Sequence, residues 1–175
     1  MLPLKLNLGC GSNKIPGCVN IDIEESNNPD LVADFTKALP YDTSSVDAVY
    51  MFHVIEHVKK ALHEAIFYEV ARVLKPDCFF YLSYPEFLTC VKCYQENLYG
   101  KREFWEATIY GRQLYPADTH VALMDTKYVT TKLTRVGFKD LVVASEPDEF
   151  WNTTIKAKKG SFLSHEQAAK INFNF

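Results

Sequence analysis

Long apolar runs are missing. No stretch approaches the roughly 18–20 residues that cross a bilayer. The opening Met1-Leu2-Pro3-Leu4-Lys5 also lacks the extended apolar core of a secretion signal. A soluble, cytoplasmic protein with no membrane partner is therefore expected. Positive charge is not in excess either: 19 Lys+Arg stand against 22 Asp+Glu, giving a net charge of −3 and a pI of about 5.9. No global field draws in a polyphosphate, so no nucleic-acid partner is expected. Internal repeats, low-complexity tracts and Gly/Ser linkers are absent, and the 175 residues suit one domain, 1–175.

Cysteine is too sparse and too unevenly spread to form a disulfide framework. The five, Cys10, Cys18, Cys78, Cys90 and Cys93, are an odd number in a chain large enough to build a core without staples. Cys90-Val91-Lys92-Cys93 has redox or half-zinc-site spacing, but a structural zinc site takes four ligands and no second close pair follows. Reduced thiols and no bound metal are the expectation.

What the chain does have is alternation of strand-like and helix-like patterns, which predicts an α/β domain. Leu4 to Leu8 runs into Gly9-Cys10-Gly11-Ser12, and Cys18 to Ile23 ends in acids. Val46 to Phe52 is apolar at most successive positions, as in a central parallel strand covered on both faces. Leu62, Ile66, Val70, Val73 and Leu74 then recur at helical spacing, with Pro76 closing the helix. Phe79 to Leu82 reads as another buried strand. An aromatic-rich insert over about 86–121 is expected to wall a pocket. A last helix, about Asp125 to Arg135, leads to strands around Phe138–Ala144 and Thr153–Ala157. The turn-like Ser145-Glu146-Pro147-Asp148 joins those two as an antiparallel hairpin at the sheet edge.

Gly9-Cys10-Gly11 after a strand lets the backbone turn sharply and approach a ligand; alone it is only a tight turn. Its neighbours add meaning. Asp22 ends the second strand, and Asp34-Phe35 follows the short apolar run Leu31-Val32-Ala33. A carboxylate accepts both hydrogen bonds of a ribose diol, and an Asp beside an aromatic ring meets an adenine amino group. In an open parallel sheet such a nucleoside lies across the carboxyl ends of the strands. A dinucleotide fits poorly, because G-x-G-x-x-G needs a third glycine where Lys14 stands. The segment Gly9 to Gly17 is also short for a crossover helix, so a pyrophosphate would lose its seat.

Four segments together resemble the class I S-adenosylmethionine-dependent methyltransferases, and among them small members with an abbreviated N-terminus. They are Leu6-Asn7-Leu8-Gly9-Cys10-Gly11-Ser12, Val19-Asn20-Ile21-Asp22-Ile23, Ala33-Asp34-Phe35 with Leu39-Pro40-Tyr41, and Val46 through His57. Leu74-Lys75-Pro76 and Gly137-Phe138 extend the likeness, which covers most of the chain outside Glu86 to Val121. The resemblance implies a Rossmann-like, doubly wound, mostly parallel sheet in a three-layer sandwich, with an antiparallel C-terminal edge hairpin and S-adenosyl-L-methionine as cofactor. It places Gly9, Cys10 and Gly11 along the methionine part, Asp22 and Ile23 at the ribose, Asp34 and Phe35 at the adenine, and Phe52 and His53 beside the sulfonium. Asn7 stands where the family commonly has an acid, so the methionine ammonium would be held by carbonyls or an ordered water.

His53-Val54-Ile55-Glu56-His57 also matches H-x-x-E-H, a zinc-hydrolase pattern that needs both histidines on one helix. Here it follows a strand directly and lies at a strand-to-helix corner. Glu56 is accordingly expected in a first helical turn and His57 in the scaffold, with His53 lining the site. His120, in the loop after the insert, is either a solvated histidine or a base that takes the acceptor's proton, with Asp118 or another nearby acid orienting it. His120 and His53 are thus the catalytic candidates.

Tyr84, Tyr110 and Tyr115 are candidate substrate contacts. Tyr94, Tyr99, Phe104 and Trp105 supply further aromatic faces. The expected reaction is methyl transfer to an oxygen or nitrogen of a small or medium organic acceptor, a sugar or other hydroxylated metabolite. The alternative from another class is an inactive S-adenosylmethionine-binding partner or regulatory module. The sequence leaves the oligomeric state open.

Overall fold

The computed structural model describes residues 2–98, 101–114, 116–145 and 151–161. Seven strands form one sheet: β1 (Lys5–Leu8), β2 (Val19–Asp22), β3 (Leu31–Val32), β4 (Val46–Phe52), β5 (Leu74–Pro85), β6 (Phe138–Ser145) and β7 (Asn152–Lys159). Their spatial order is β3-β2-β1-β4-β5-β7-β6. The first five run parallel, and β7 inserts antiparallel between β5 and β6. This is the expected Rossmann-like α/β sandwich with an antiparallel edge pair. Most of the anticipated hairpin turn, residues 146–148, lies outside the described residues, as does Tyr99.

Strand order reverses at β1 and β4, where the chain leaves β1 toward β2 on one side and later returns to β4 on the other. That reversal opens a crevice beyond the carboxyl ends of the strands. Gly9, Asp22 and Phe52 all stand at or just past those ends.

Residues 9–18 carry no helix. Instead, the amides of Gly9 and Cys10 both donate to the Ile21 carbonyl, and Asn13 donates to that of Cys10. The first crossover is therefore a bare loop. Its glycine is required: Gly9 has φ +67, and a Cβ there would lie 2.5 Å from a Val54 methyl.

Helix α1 (Lys60–Val73) crosses from β4 to β5 and stops three residues before Pro76. It turns Ile66, Phe67, Val70 and Val73 into a core shared with Leu6, Leu8, Val49, Met51, Phe80 and Leu82. The other face of β4 is only half covered, which corrects the expectation of a strand buried on both sides. Tyr50 stacks on Tyr81 with centroids 5.0 Å apart, and both rings are partly exposed. Apolar residues at consecutive positions arise here from an aromatic strip that stays half-wet, since tyrosine tolerates water at its hydroxyl end.

The insert is helical: α2 (Phe87–Gln95) and α3 (Arg102–Tyr110) pack on each other. Cys90 and Cys93 are fully buried with Trp105 and Trp151 in a small second core. Burial pushes the Cys90 thiol up to about 12, so the pair acts as apolar packing. Helix α4 (Thr126–Arg135), capped by Asp125, completes the scaffold against α1. Among the described residues, no helix is long and apolar enough to cross a membrane.

Candidate active site

The crevice over the strand ends is a cavity of about 1170 Å³. It gathers the first-loop residues Asn7, Gly9, Cys10 and Gly11, the second-strand residues Asp22 and Ile23, Asp34 with Phe35, and Phe52 with His53. It also collects Glu56, His57, Phe104 and His120.

Asp22 is 7% exposed. One carboxylate oxygen accepts the Gly11 amide at 2.7 Å and the other the Glu24 amide at 2.9 Å. Each oxygen retains a lone pair for a further donor. Gly11 has φ +48 and open space where a Cβ would point, which leaves the backbone accessible to a ligand. Asn7 is buried, and its amide donates to Asn20 Oδ1 at 2.9 Å and the Asn13 carbonyl at 3.1 Å. An Asn can tie the helix-free loop to β2 by donation, which an acid at this position could not do.

Asp34 accepts both the amide and the hydroxyl of Thr36 on Oδ1, at 3.0 and 2.6 Å. These bonds, the Thr36 hydroxyl first, hold its carboxyl below the usual carboxylate range. Its second oxygen stands 3.5 Å from the exposed Lys37 ammonium. Ile23 and Phe52 are 53% and 38% exposed, so the hollow offers apolar surface beside its acids.

The far wall is built by long-range pairing. Val54 to Val58 form a turn and a short 3₁₀ helix, Ile55–His57, instead of entering α1 directly. The Glu56 carbonyl accepts the amides of Val121 and Ala122, and the Tyr110 carbonyl accepts that of His120. Gly111 makes this crossing feasible: its φ is +80, and a Cβ there would sit 2.0 Å from the Asp118 carbonyl oxygen. His120 thereby reaches His57, ring centroids 4.6 Å apart at 82°.

Glu56 is the acid that faces this pair. Of the expected orienting acids, Asp118 or another nearby one, Asp118 is engaged by Arg112 and the Leu114 amide, each at 3.3 Å. Burial pushes the His120 imidazole down, and the neighbouring Glu56 opposes that shift. His53 has φ +55, and its Nδ1 lies 3.6 Å from Glu56 Oε1. His53 stands outside the Glu56–His57–His120 group and the motif occupies no α-helix, so the H-x-x-E-H hydrolase arrangement does not form.

One tyrosine needs correction, and a second lies beside the cavity. Tyr84 is fully buried, with its ring in the main core and burial raising its phenol, and it does not reach the cavity. Tyr110 faces an adjoining hollow of about 620 Å³ between α2 and α3, lined also by Phe87, Val91 and Tyr94. Tyr115 lies outside the described residues. Sequence reasoning missed the joining of Glu56 to His120. The partners lie on separate segments, and their only local signal was the acid in H-x-x-E-H.

Residues 6–82 match the family model described as a methyltransferase domain. Among solved structures, an S-adenosylmethionine-dependent methyltransferase from Methanosarcina mazei is 20% identical. The match covers 91% of this chain and 93% of that one, with a TM-score of 0.64. A protein from Pyrococcus horikoshii OT3 is 17% identical over 92% of this chain and 83% of that one, at a TM-score of 0.67. A protein from Bordetella parapertussis is 13% identical at a TM-score of 0.65; 92% of this chain is covered, but only 63% of that one. These likenesses concern the fold. No curated protein sequence gives a significant match.

Proposed function

We propose that this chain is a class I S-adenosylmethionine-dependent methyltransferase that moves the sulfonium methyl to an oxygen or nitrogen of a small or medium hydroxylated acceptor. The observation that carries this reading is the convergence of Gly9–Gly11, Asp22, Asp34–Phe35 and Phe52 on one cavity at the strand ends.

In this reading the open lone pairs of Asp22 accept the ribose hydroxyls, and Asp34 with Phe35 meets the adenine. Ile23 and Phe52 supply apolar cover. Backbone at Gly9, Cys10 and Gly11 lines the methionine arm, with Asn7 beneath it. The bound cofactor supplies an activated methyl that needs no further electrophilic assistance. The protein's own task is alignment in a shielded cleft, plus an outlet for the acceptor's proton. His53 and His120 both border the cavity and are the imidazoles placed for that step. The Phe104 edge and the Glu56 corner face the acceptor.

Calorimetry with S-adenosylhomocysteine, followed by transfer of a labelled methyl to a panel of sugars, phenols and amines, tests the reading. Saturable binding and label in a hydroxylated acceptor are expected. No binding at high micromolar product would overturn the cofactor assignment. Binding without transfer to any acceptor pool would identify a non-catalytic binding module.

A further inference from the structure

Glu56 presents an unusual problem in this cleft. It is 2% exposed, yet neither carboxylate oxygen has a hydrogen-bond partner among the described residues. A buried ionised carboxylate left unpartnered costs several kcal/mol or more, so such a group calls for a cation or donor that completes it. His53 Nδ1 stands 3.6 Å from Oε1, beyond hydrogen-bond distance, and two further imidazoles, His57 and His120, also face the carboxylate. One donor atom from each of Glu56, His57 and His120 lies within 4.8 Å of the others.

We infer that Glu56, His57 and His120 form a binding site for one divalent transition-metal cation on the acceptor side of the cleft. Two imidazoles and a carboxylate are a donor set that suits zinc, iron, cobalt or manganese and leaves coordination positions open. The surrounding hydrogen bonds fit the same role. His57 Nδ1 donates to the Thr119 carbonyl at 3.2 Å, which fixes the proton there and leaves Nε2 as the lone-pair donor. Metal-ligating histidines are commonly oriented in this way, by a carbonyl on the ring nitrogen away from the ion.

The backbone supports the cluster independently of any ion. Both segments are cross-linked through the Glu56 carbonyl, and Gly111 permits the close crossing that delivers His120. An isolated surface acid would have none of this framework.

The site deepens the methyltransferase reading, on which its chemical role rests, by naming the acceptor class: a molecule whose hydroxyl oxygen ligates the cation. The coordinated hydroxyl releases its proton to water. Its oxygen then forms the new C–O bond as the C–S bond of the sulfonium breaks, and the neutral thioether leaves with that electron pair. In this scheme His120 serves as a ligand instead of a proton acceptor, that step passing to water, and His53 stays outside the ion's shell.

The test uses the full chain, stripped with a chelator and titrated with Co²⁺, then challenged with Zn²⁺, with S-adenosylhomocysteine affinity measured in parallel. Expected are one equivalent of Co²⁺ with visible ligand-field bands, displacement by Zn²⁺, and protection of His57 and His120 from a histidine-modifying reagent. Glu56→Gln and His120→Ala should weaken Co²⁺ by more than roughly 10-fold while the product still binds, since even outer-shell changes cost about 10–100-fold. Product binding without saturable Co²⁺ or Zn²⁺ binding would overturn the metal site and leave the cofactor reading intact. Metal affinity unchanged in both variants would also overturn it. Should a variant lose the product as well through misfolding, the protection pattern in the unaltered chain decides: unprotected histidines reject the site. Metal binding without product binding would keep the site and reject the cofactor reading.

Discussion

His57 and His120 meet edge to face, 4.6 Å between ring centroids, although one ends a 3₁₀ turn after β4 and the other follows the helical insert. Their meeting depends on backbone bonds from the 120–122 segment to Glu56 and Tyr110. The histidine side of the cleft is thus a joint between two distant stretches of chain. The strand-end side is written almost entirely within residues 7–53.

That division gives a first expectation. Asp22→Ala should weaken S-adenosylhomocysteine binding by roughly 1.5–3 kcal/mol, the range for hydrogen bonds to a charged group. The substitution also releases the Gly11 and Glu24 amides. Calorimetry reads the change, and unaltered affinity would remove Asp22 from the ribose assignment.

Gly111→Ala should damage turnover more than cofactor affinity. The new methyl would meet the Asp118 carbonyl at 2.0 Å in a backbone conformation that non-glycine residues rarely adopt. The 118–120 segment must move, at a cost of about 1–3 kcal/mol for the strained backbone. Thermal unfolding and product titration, compared with methyl-transfer rate, separate the two effects. A variant with full turnover would show that the crossing does not set the acceptor side.

His63 supplies a pH dependence of stability. It is fully buried; Nε2 faces the Val58 carbonyl at 2.8 Å and Nδ1 faces the Tyr128 hydroxyl at 3.2 Å. A neutral ring satisfies both, donating through Nε2 and accepting from the phenol. Burial is the largest cause pushing its pKa below the ordinary 6.5. The unfolded chain therefore binds a proton that the folded chain refuses. Stability should fall as pH drops through 6.5 toward the folded-state value and be insensitive to this group above it. His63→Gln should flatten that acid slope in chemical denaturation; an unchanged slope would assign it to other groups.

Glu69 anchors the loop that carries Asp34. It accepts the Leu39 amide at 2.7 Å and two bonds from Arg72, whose guanidinium also donates to the Leu39 carbonyl. Replacing it with alanine should cost roughly 1.5–3 kcal/mol in stability, because charge-assisted bonds are lost and buried donors are left behind. Urea unfolding checks the figure, and a loss under half a kcal/mol would count the network as dispensable.

His120→Ala should slow methyl transfer by roughly 100-fold or more while leaving product affinity nearly intact, the scale expected when a proton-handling or ligating group is removed. Rates at saturating acceptor and cofactor provide the measurement. Equal turnover would return His120 to an ordinary loop residue.

The sequence determined the parts of this protein whose physics is local. Strands β1, β2 and β4, helix α1 and helix α4 follow from apolar period and stop signals. The glycine loop and its acids follow from backbone freedom and from acids at strand ends, so their convergence on one cavity was legible in the sequence. Tertiary structure decided what separate segments do to one another. Tyr84 looked like a wall residue because its type is common in pockets, but the long β5 carries its ring into the core. His57 read as scaffold, and Asp118 or another nearby acid as the orienting group, because sequence proximity was the available guide. Folding brought Glu56, His57 and His120 together instead, through backbone bonds that leave no signature in the letters.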